Sequence, residues 1–495
     1  MGLGIQLIYV TFLMLSAIIP SMNRLPRFSI VIRVLAPLVL ISLIGITPRW
    51  RSMEQAFKRA QEAIEKNDNW QASLAISQAA RQNPWRRDLW EQAGILALKS
   101  GQHQTAQSHL EHVLTLGALS AEGLVALGDA AQLGGDHQAA IQHWEEALSS
   151  GGDQIELHSR LVETYRQLGD LEKAIQYQTA LVELNPTIAE TNYTLGLMLA
   201  ASEPEAALSY LTLAEELNPD LSTNTTSIYR SIRSARILDD QAYLLVSSGQ
   251  ALASIEEWDL AANAFSNALL ANPEYADAWA YLGEAFEQIG QDGSEPLERA
   301  TTIDPNSIAA NTFTGLYWQR RERFELALIY LHAAANLDPT NPALQAEVGN
   351  TLGLLGNISA AETHYQRAVE FAPRDPIYWR TLANFYIKFE TKLREEGLAA
   401  ARQAVILNPS DPASLDVLAQ IYLLMDSPFI ARRFLERALD ADPQYAPAHI
   451  HLGLIYILEG NSQQAYHQFN VALSLAEQGS PTAVQAGRLL ETYFP

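Results

Sequence analysis

Histidine and carboxylate side chains are the residues of this chain that could bind a metal ion or transfer protons. His109 and His112 stand three residues apart, on one face of a helix, with His103 nearby, and His449 and His451 form a second pair. A structural zinc site needs four ligands, and no acidic ligand stands at a suitable spacing beside either group. We therefore interpret the 11 histidines as surface or interhelical residues and predict no metal site.

Other signatures of catalysis are missing from the sequence. It contains no Cys, which excludes disulfides, thiolate metal sites and Cys nucleophiles. It has no Gly-rich phosphate loop, no Gly-x-Ser-x-Gly elbow and no His-Glu-x-x-His motif. Among the 56 acidic residues, no pair stands out as a general acid and base. We predict no enzymatic activity, no catalytic residue, no cofactor and no small-molecule substrate.

The charge distribution argues against a nucleic-acid partner. The formal net charge is −23, from 33 Lys and Arg against 56 Asp and Glu. Seven of the bases but one of the acids lie within residues 1–60, so the rest of the chain has an excess of 29 acids. Phosphate groups would be repelled by such a field. The composition favours a protein or peptide partner that is basic or neutral.

The first 50 residues hold two long apolar segments. Residues 3–19 carry no charge, and residues 28–47 are interrupted by Arg33 and Pro37. Both approach the roughly 20 residues that span a bilayer, and residues 1–6 lack the positive charge of a cleaved signal peptide. We predict that residues 1–50 are a retained membrane region with one or two transmembrane segments. The alternative is a pair of buried core helices.

The positive-inside rule does not settle the topology. Arg24 and Arg27 lie between the two segments, whereas Arg49 and Arg51 follow the second. Two spans would place the rest of the chain outside the cytoplasm, and a single span would leave it inside. We expect an extracytoplasmic location for the region after residue 50.

Beyond residue 50, a proline recurs at the end of each predicted second helix. Successive prolines are separated by 102, 33, 54, 32, 34, 34, 36 and 34 residues, and the first interval is three times 34. A fixed period of this length indicates a repeat architecture. The prolines are Pro84, Pro186, Pro219, Pro273, Pro305, Pro339, Pro373, Pro409 and Pro443.

A 34-residue frame places small and large residues at constant positions. Position 8 is Gly, position 20 is Ala and position 24 is a large apolar residue in many repeats. Small residues let paired helices approach closely, and the proline prevents the second helix from continuing. Examples are Gly94, Ala106 and Leu110; Gly128, Ala140 and Trp144; Gly315, Ala327 and Leu331; Gly349, Ala361 and Tyr365; and Gly453, Ala465 and Phe469.

This pattern resembles the tetratricopeptide repeat family over residues 53–477, and with the apolar N-terminus it is similar to membrane-anchored bacterial members. The resemblance implies an all-α, right-handed superhelical solenoid of about twelve helix-turn-helix units, preceded by transmembrane segments in a bacterial inner membrane. No unit can bury its apolar face alone, so neighbouring units must stack. The predicted regions are a membrane region at 1–50, repeats at 51–221, an insertion at 222–241, repeats at 242–477 and a capping helix at 478–495.

Three segments depart from the period. The insertion carries Arg230, Arg233 and Arg236 at three-residue intervals, which fits either an extra helix with a basic stripe or a solvated spacer. Near residues 293–296 the second helix of the seventh repeat is predicted to be short. Near residues 388–397 a loop gains about two residues relative to the 34-residue frame.

The resemblance also implies that positions 2, 5, 9 and 12 of each first helix line a concave groove. In repeats two to five and seven these positions are rich in acids, although the helix dipole alone favours carboxylates at position 2. The alternatives are an acidic groove for a basic partner and an ordinary solvated face. The candidate acids are Asp88, Glu91, Asp129, Glu163, Glu284 and Glu287.

The equivalent positions near the C-terminus are apolar. Ile450, Leu454 and Ile457 would form an apolar strip for a peptide, unless a tight superhelix or the cap covers them. Arg380 and Asn384 are similar to the family's carboxylate clamp, but Val417 and His451 break its pattern.

Two functions fit these observations. The first is a membrane-anchored scaffold that mediates protein–protein interaction and complex assembly through its groove. The second is a non-catalytic accessory subunit of a membrane enzyme or machinery for envelope glycan or lipid assembly.

Overall fold

The computed structural model describes residues 53–495, which form helices joined by short turns and contain no strand. No helix in this range is both long and apolar enough to cross a membrane. The two predicted spans, residues 3–19 and 28–47, lie outside the described residues.

The chain divides into two compact units between Thr191 and Asn192. The first unit consists of helix pairs, each with a first and a second helix. Its helices are α1 (53–65), α2 (Asn69–Gln82), α3 (Arg87–Lys99), α4 (His103–Leu116), α5 (Ala121–Leu133), α6 (His137–Ser149), α7 (Gln154–Gln167) and α8 (Leu171–Leu184).

The second unit continues the same alternation, and α9 begins just before the division. The helices are α9 (Ala189–Ser202), α10 (Pro204–Leu217), α11 (Ser222–Ala235), α12 (Gln241–Ser254), α13 (Trp258–Ala271), α14 (Ala276–Gln288), α15 (Ser294–Ile303), α16 (Ile308–Arg320), α17 (Phe324–Leu337), α18 (Pro342–Leu354), α19 (Ile358–Phe371), α20 (Pro376–Lys388), α21 (Leu398–Leu407), α22 (Pro412–Leu424), α23 (Pro428–Ala441), α24 (Ala446–Leu458), α25 (Ser462–Leu475) and α26 (Pro481–Tyr493).

The two helices of a pair pack closely where a glycine of one helix faces a large side chain of the other. A Cβ on Gly128 of α5 would lie 2.5 Å from Cδ1 of Trp144 in α6, and a Cβ on Gly315 of α16 would lie 2.6 Å from Cγ of Leu331 in α17. Only Gly permits this approach, because any larger residue would overlap its neighbour. Where a repeat has this Gly, the Gly and the large residue therefore mark the crossing point of the pair.

The turn within a pair uses a residue with positive φ. Gly135 (φ 82°) and Gly169 (φ 74°) hold this position in the first unit, and Glu256, Glu322 and Asp426 adopt the same left-handed conformation in the second. The second helix then begins after a capping residue, as at Asp170, whose carboxylate accepts from the Lys173 N–H.

First helices pack against the first helix of the next repeat, as α3 does with α5 and α14 with α16. Second helices make their main contacts with the two helices that flank them in the chain. Closer packing on one side curves a stack toward that side. The first helices therefore line the inner face of each unit.

The second unit contains the three departures from the period. Residues 222–235 form helix α11, which buries Ile228 and Ile232. Helix α15 has 10 residues instead of the usual 13 or 14. Between α20 and α21, Glu390 and Lys392 have positive φ and residues Leu393–Gly397 form a π-helical turn.

The last helix, α26, closes the second unit. Ala486 is completely buried and lies in one apolar cluster with Ile450 of α24 and Ala472 of α25. Leu454 and Leu489 pack around this cluster. This helix therefore covers apolar surface of the helix pair that precedes it.

Candidate partner-binding surface

The predicted acidic positions of repeat two lie on the inner face of the first unit. Asp88 accepts two hydrogen bonds from Arg86, at 2.8 and 2.5 Å. These bonds hold the pKa of the Asp88 carboxyl below its ordinary value. Glu91 accepts from the N–H of Ser120 at 3.1 Å and from its hydroxyl, so it joins repeat two to the beginning of repeat three.

Asp129 of α5 is the centre of a half-buried polar cluster. Its Oδ1 accepts from the indole N–H of Trp144 at 3.0 Å, and its Oδ2 accepts from Arg160 of α7 at 3.1 Å. Burial raises the pKa of the Asp129 carboxyl, although both donors oppose that rise. Glu163 is exposed and accepts from Gln167 at 2.9 Å within its own helix.

Glu284 and Glu287 of α14 form ion pairs with two consecutive arginines of repeat eight. Arg320 binds Glu284 through two hydrogen bonds of 3.0 and 2.6 Å. Arg321 binds Glu287 through bonds of 2.8 and 3.1 Å, and also contacts Asp292. Burial alone would raise the pKa of Glu287, but Arg321 and the Gly293 N–H outweigh it and lower the pKa.

These contacts change the interpretation of the acidic groove. Of the six predicted acids, Asp88, Asp129, Glu284 and Glu287 are paired with arginines of the same chain. Three of the four partners lie about one repeat further along the sequence. The sequence analysis considered only the acids at four positions of each first helix. The arginines that pair with them lie at other positions, so the pairing was not predicted.

The inner face of the second unit also forms an open groove of about 540 Å³. It lies where α14, α16 and α18 begin, and Tyr281 and Phe313 line it together with Asp277 and Asp304. Of these four residues, the sequence pattern had included Asp277 alone as an inner position, because the two rings occupy position 6 and Asp304 lies in a turn.

The rings in this groove are held by packing. Tyr281 stacks on Phe265 at a centroid distance of 5.4 Å and meets the edge of Phe313 at 5.2 Å. Asp277 accepts from the hydroxyl of Ser307 at 2.5 Å. Ser307 itself caps α16 by accepting from the Ala310 N–H, so the groove wall is fixed by a helix start.

The predicted clamp residues lie on α20. Arg380 donates to Asp411 at 2.6 Å, and Asp411 also accepts from the Ser414 N–H at 2.9 Å. Burial opposes ionisation of Asp411, but the bonds from Ser414 and the charge of Arg380 lower its pKa. Asn384 is exposed. Because Arg380 already has a carboxylate partner within the chain, this geometry argues against a clamp for a C-terminal carboxylate.

The predicted apolar strip near the C-terminus is wrong for Ile450. This residue is 1% exposed, because α26 covers it. Leu454 is partly buried in the same cluster, and Ile457 is partly buried. Ile450 and Leu454 therefore fit the alternative, in which the capping helix covers the strip.

Two of the histidines considered as metal ligands, His109 and His112, pack against an aromatic ring. The centroids of His109 and His112 lie 5.2 and 4.9 Å from that of Trp90. Burial lowers the pKa of His109, which favours the neutral ring. Over residues 53–495, no three His, Asp or Glu side chains are arranged to hold a metal ion.

Comparison with known proteins identifies the repeat. Two family models, both described as tetratricopeptide repeat, match this chain: one at residues 91–155 and 247–308, the other at residues 155–188. The chain is 24% identical over 234 residues to anaphase-promoting complex subunit 3 of Schizosaccharomyces pombe, covering 43% of this chain and 35% of that protein. It is 22% identical over 238 residues to the cell division cycle protein 16 homolog of Homo sapiens, covering 45% and 37%.

The solved structure of the APC/C hetero-tetramer Cut9–Hcn1 is similar to 90% of this chain and 96% of that one, with 14% identity and a TM-score of 0.39. The match to the two curated relatives spans little more than a third of their own length.

Proposed function

We propose that this chain of tetratricopeptide repeats is a scaffold that binds protein partners along its first helices and assembles them into a complex. The observation that carries the proposal is the inner face of each unit, where first helices pack on first helices and, in the second unit, polar and aromatic side chains line an open groove. Such a face offers many shallow contacts whose specificity comes from charge and a few anchors. The similarity to an anaphase-promoting complex subunit supports a role in assembly.

The scaffold acts at a membrane in this proposal. Residues 3–19 and 28–47 would anchor it in a bacterial inner membrane, with the repeats on the extracytoplasmic side. The partner is a protein or peptide, and a basic one fits the excess of acids best. Anchoring would raise the local concentration of partners that share the membrane.

Site-specific crosslinking in intact cells tests this proposal. A photoreactive residue at Asn384, exposed on first helix α20, is compared with one at Arg367, exposed on second helix α19. We expect protein adducts from position 384 and few from 367. Equal adducts from both positions, or none from either, would contradict binding through the inner face.

The same cells can be used to test on which side of the membrane the repeats lie. Protease added to the extracytoplasmic side should cleave the chain after Arg59 if the repeats face that side. Protection of the repeats would reverse the proposed topology. Recovery of envelope glycan or lipid enzymes as the main adducts would instead favour the role of accessory subunit.

A further inference from the structure

The groove at the start of α14, α16 and α18 differs in its charge balance from the arginine-paired acids of the second unit. Glu284, Glu287 and Asp411 each have an arginine partner. Asp277 and Asp304 have no Lys, Arg or His nitrogen within 4 Å among residues 53–495. Asp277 accepts the Ser307 hydroxyl through Oδ1, and its side chain lines a groove that is open to solvent. The negative charge here is therefore not neutralised within the described chain.

The aromatic side chains beside these carboxylates respond to that charge. Burial, together with Asp277 and Asp240, raises the pKa of Tyr275 to about 12. Burial and the charge of Asp277 also raise the pKa of Tyr281. Burial is the larger cause of both pKa shifts, and Asp277 adds to it because its negative charge lies near both phenols. The same carboxylate charge would attract a cation.

The shape of the groove selects a long side chain. Tyr281 and Phe313 provide apolar ring surface, while Asp277 and the exposed Asp304 lie at its polar margin. A cation placed over an aromatic ring is attracted by the negative face of the ring. Lys and Arg have an apolar stem for the rings and a charged end for the carboxylates.

We propose that this groove binds an extended, basic segment of a protein partner, with an Arg or Lys stem against Tyr281 and Phe313 and its charge on Asp277 and Asp304. The proposal rests on the scaffold function above and names the chemistry of its partner. It replaces a uniformly acidic groove with one local site, because the acids elsewhere on the inner face are largely paired with arginines.

A peptide-binding measurement tests the groove. The purified full chain is titrated into a fluorescein-labelled nonapeptide of alternating Arg and Leu, and into a matched peptide with Glu in place of Arg. We expect the Arg peptide to bind at least about tenfold more tightly, with an affinity that falls as NaCl rises. The Asp277→Asn/Asp304→Asn variant should weaken binding of the Arg peptide by about tenfold, because both carboxylates lose their charge.

Two further variants make the result specific. Glu298→Gln/Glu325→Gln removes two exposed charges outside the groove and should change the affinity by less than about twofold. Phe313→Leu keeps an apolar side chain but removes the ring, and should weaken binding by about threefold. Circular dichroism checks that every variant keeps its helical content.

The outcomes separate this inference from the scaffold proposal. Equal affinity for the Arg and Glu peptides overturns the groove assignment, as does equal weakening by the two double variants. If crosslinks from position 384 persist in either case, the scaffold function stands and only the basic-segment site fails. Absence of those crosslinks from the unaltered chain overturns the scaffold proposal itself.

Discussion

At the scale of residues, the inner face is stabilised by ion pairs that join one repeat to the next. The guanidinium of Arg321 binds Glu287 and lies 3.6 Å from the centroid of the Tyr317 ring. Removing one partner of such a pair leaves the other partly desolvated and without its charge complement. These pairs therefore contribute to the stability of the stack as well as to its surface charge.

Replacing Arg321 with Met should make stability depend less on pH. The folded chain holds the pKa of Glu287 below its ordinary value of 4.5, so the pair stabilises fully above that pH and its contribution is lost as pH falls through the folded-state pKa. We expect Arg321→Met to lower the free energy of unfolding by about 1 kcal/mol at pH 7, since Arg321 is partly exposed. Urea unfolding from pH 7 down to about pH 3 measures this difference.

The matched control is Arg299→Met, which removes an exposed pair with Glu295 four residues away. Its effect should be smaller and nearly constant with pH. If Arg321→Met lowers the free energy of unfolding as much at the lowest pH as at pH 7, the loss does not come from pairing with ionised carboxylates, and the prediction is wrong.

Sequence patterns gave only part of the information at this scale. Position counting located Glu284 and Glu287 on an inner face, but their pairing with Arg320 and Arg321 depends on how adjacent repeats stack. Ile450 occupies an inner position in the frame and is nevertheless buried, because a helix from outside the frame covers it. Side chains that meet across repeats depend on three-dimensional packing, which a periodic pattern does not specify.

At the scale of elements, many helix pairs depend on a close approach at one glycine. Gly315→Ala should lower the free energy of unfolding by about 1 to 3 kcal/mol, because the added Cβ would overlap Leu331. Gly487→Ala in α26 should stabilise by about 0.5 to 1 kcal/mol, since no atom lies within 4 Å and Ala favours a helix. Thermal unfolding of both variants measures whether each substitution lowers or raises the midpoint temperature. A change in the same direction for both variants would contradict the packing argument.

The capping helix α26 protects the apolar end of the second unit. Ala486→Asp places a charge in the cluster of Ile450 and Ala472 and should detach the helix, exposing apolar surface to a fluorescent dye. Val484→Asp, at a residue 43% exposed on the same helix, should leave dye binding unchanged. Dye binding that is equal in both variants would show that the cap does not depend on this cluster.

The order of helix pairs was predictable because it depends on local features. Pro spacing, small residues at fixed positions and turn glycines all act within one repeat, so they are visible in the sequence. The shortened α15 agrees with the predicted truncation near residues 293–296. The π-helical turn before α21 was not predicted, because two added residues can be accommodated as a loop or within a helix.

At the scale of the whole molecule, contacts are confined to neighbouring repeats, so disturbances should remain local. In the Ala486→Asp variant we expect faster amide hydrogen exchange in α24, α25 and α26 and unchanged exchange in α14 to α18. The reason is that α26 makes its main contacts with the last pair of helices, α24 and α25. Exchange that accelerates throughout the second unit would indicate global cooperativity and contradict this expectation.

The pairing of charges between repeats also restricts how such a chain can change by duplication or loss. Deleting residues 308–341 would remove one 34-residue period and keep every helix in frame. It would, however, bring Leu354 and Leu355 to the places of Arg320 and Arg321, opposite Glu284 and Glu287. Unequal recombination at this joint would give a chain of correct periodicity with two unpaired carboxylates. The repeats of this protein resemble one another in sequence, yet one repeat cannot replace another without the loss of such ion pairs.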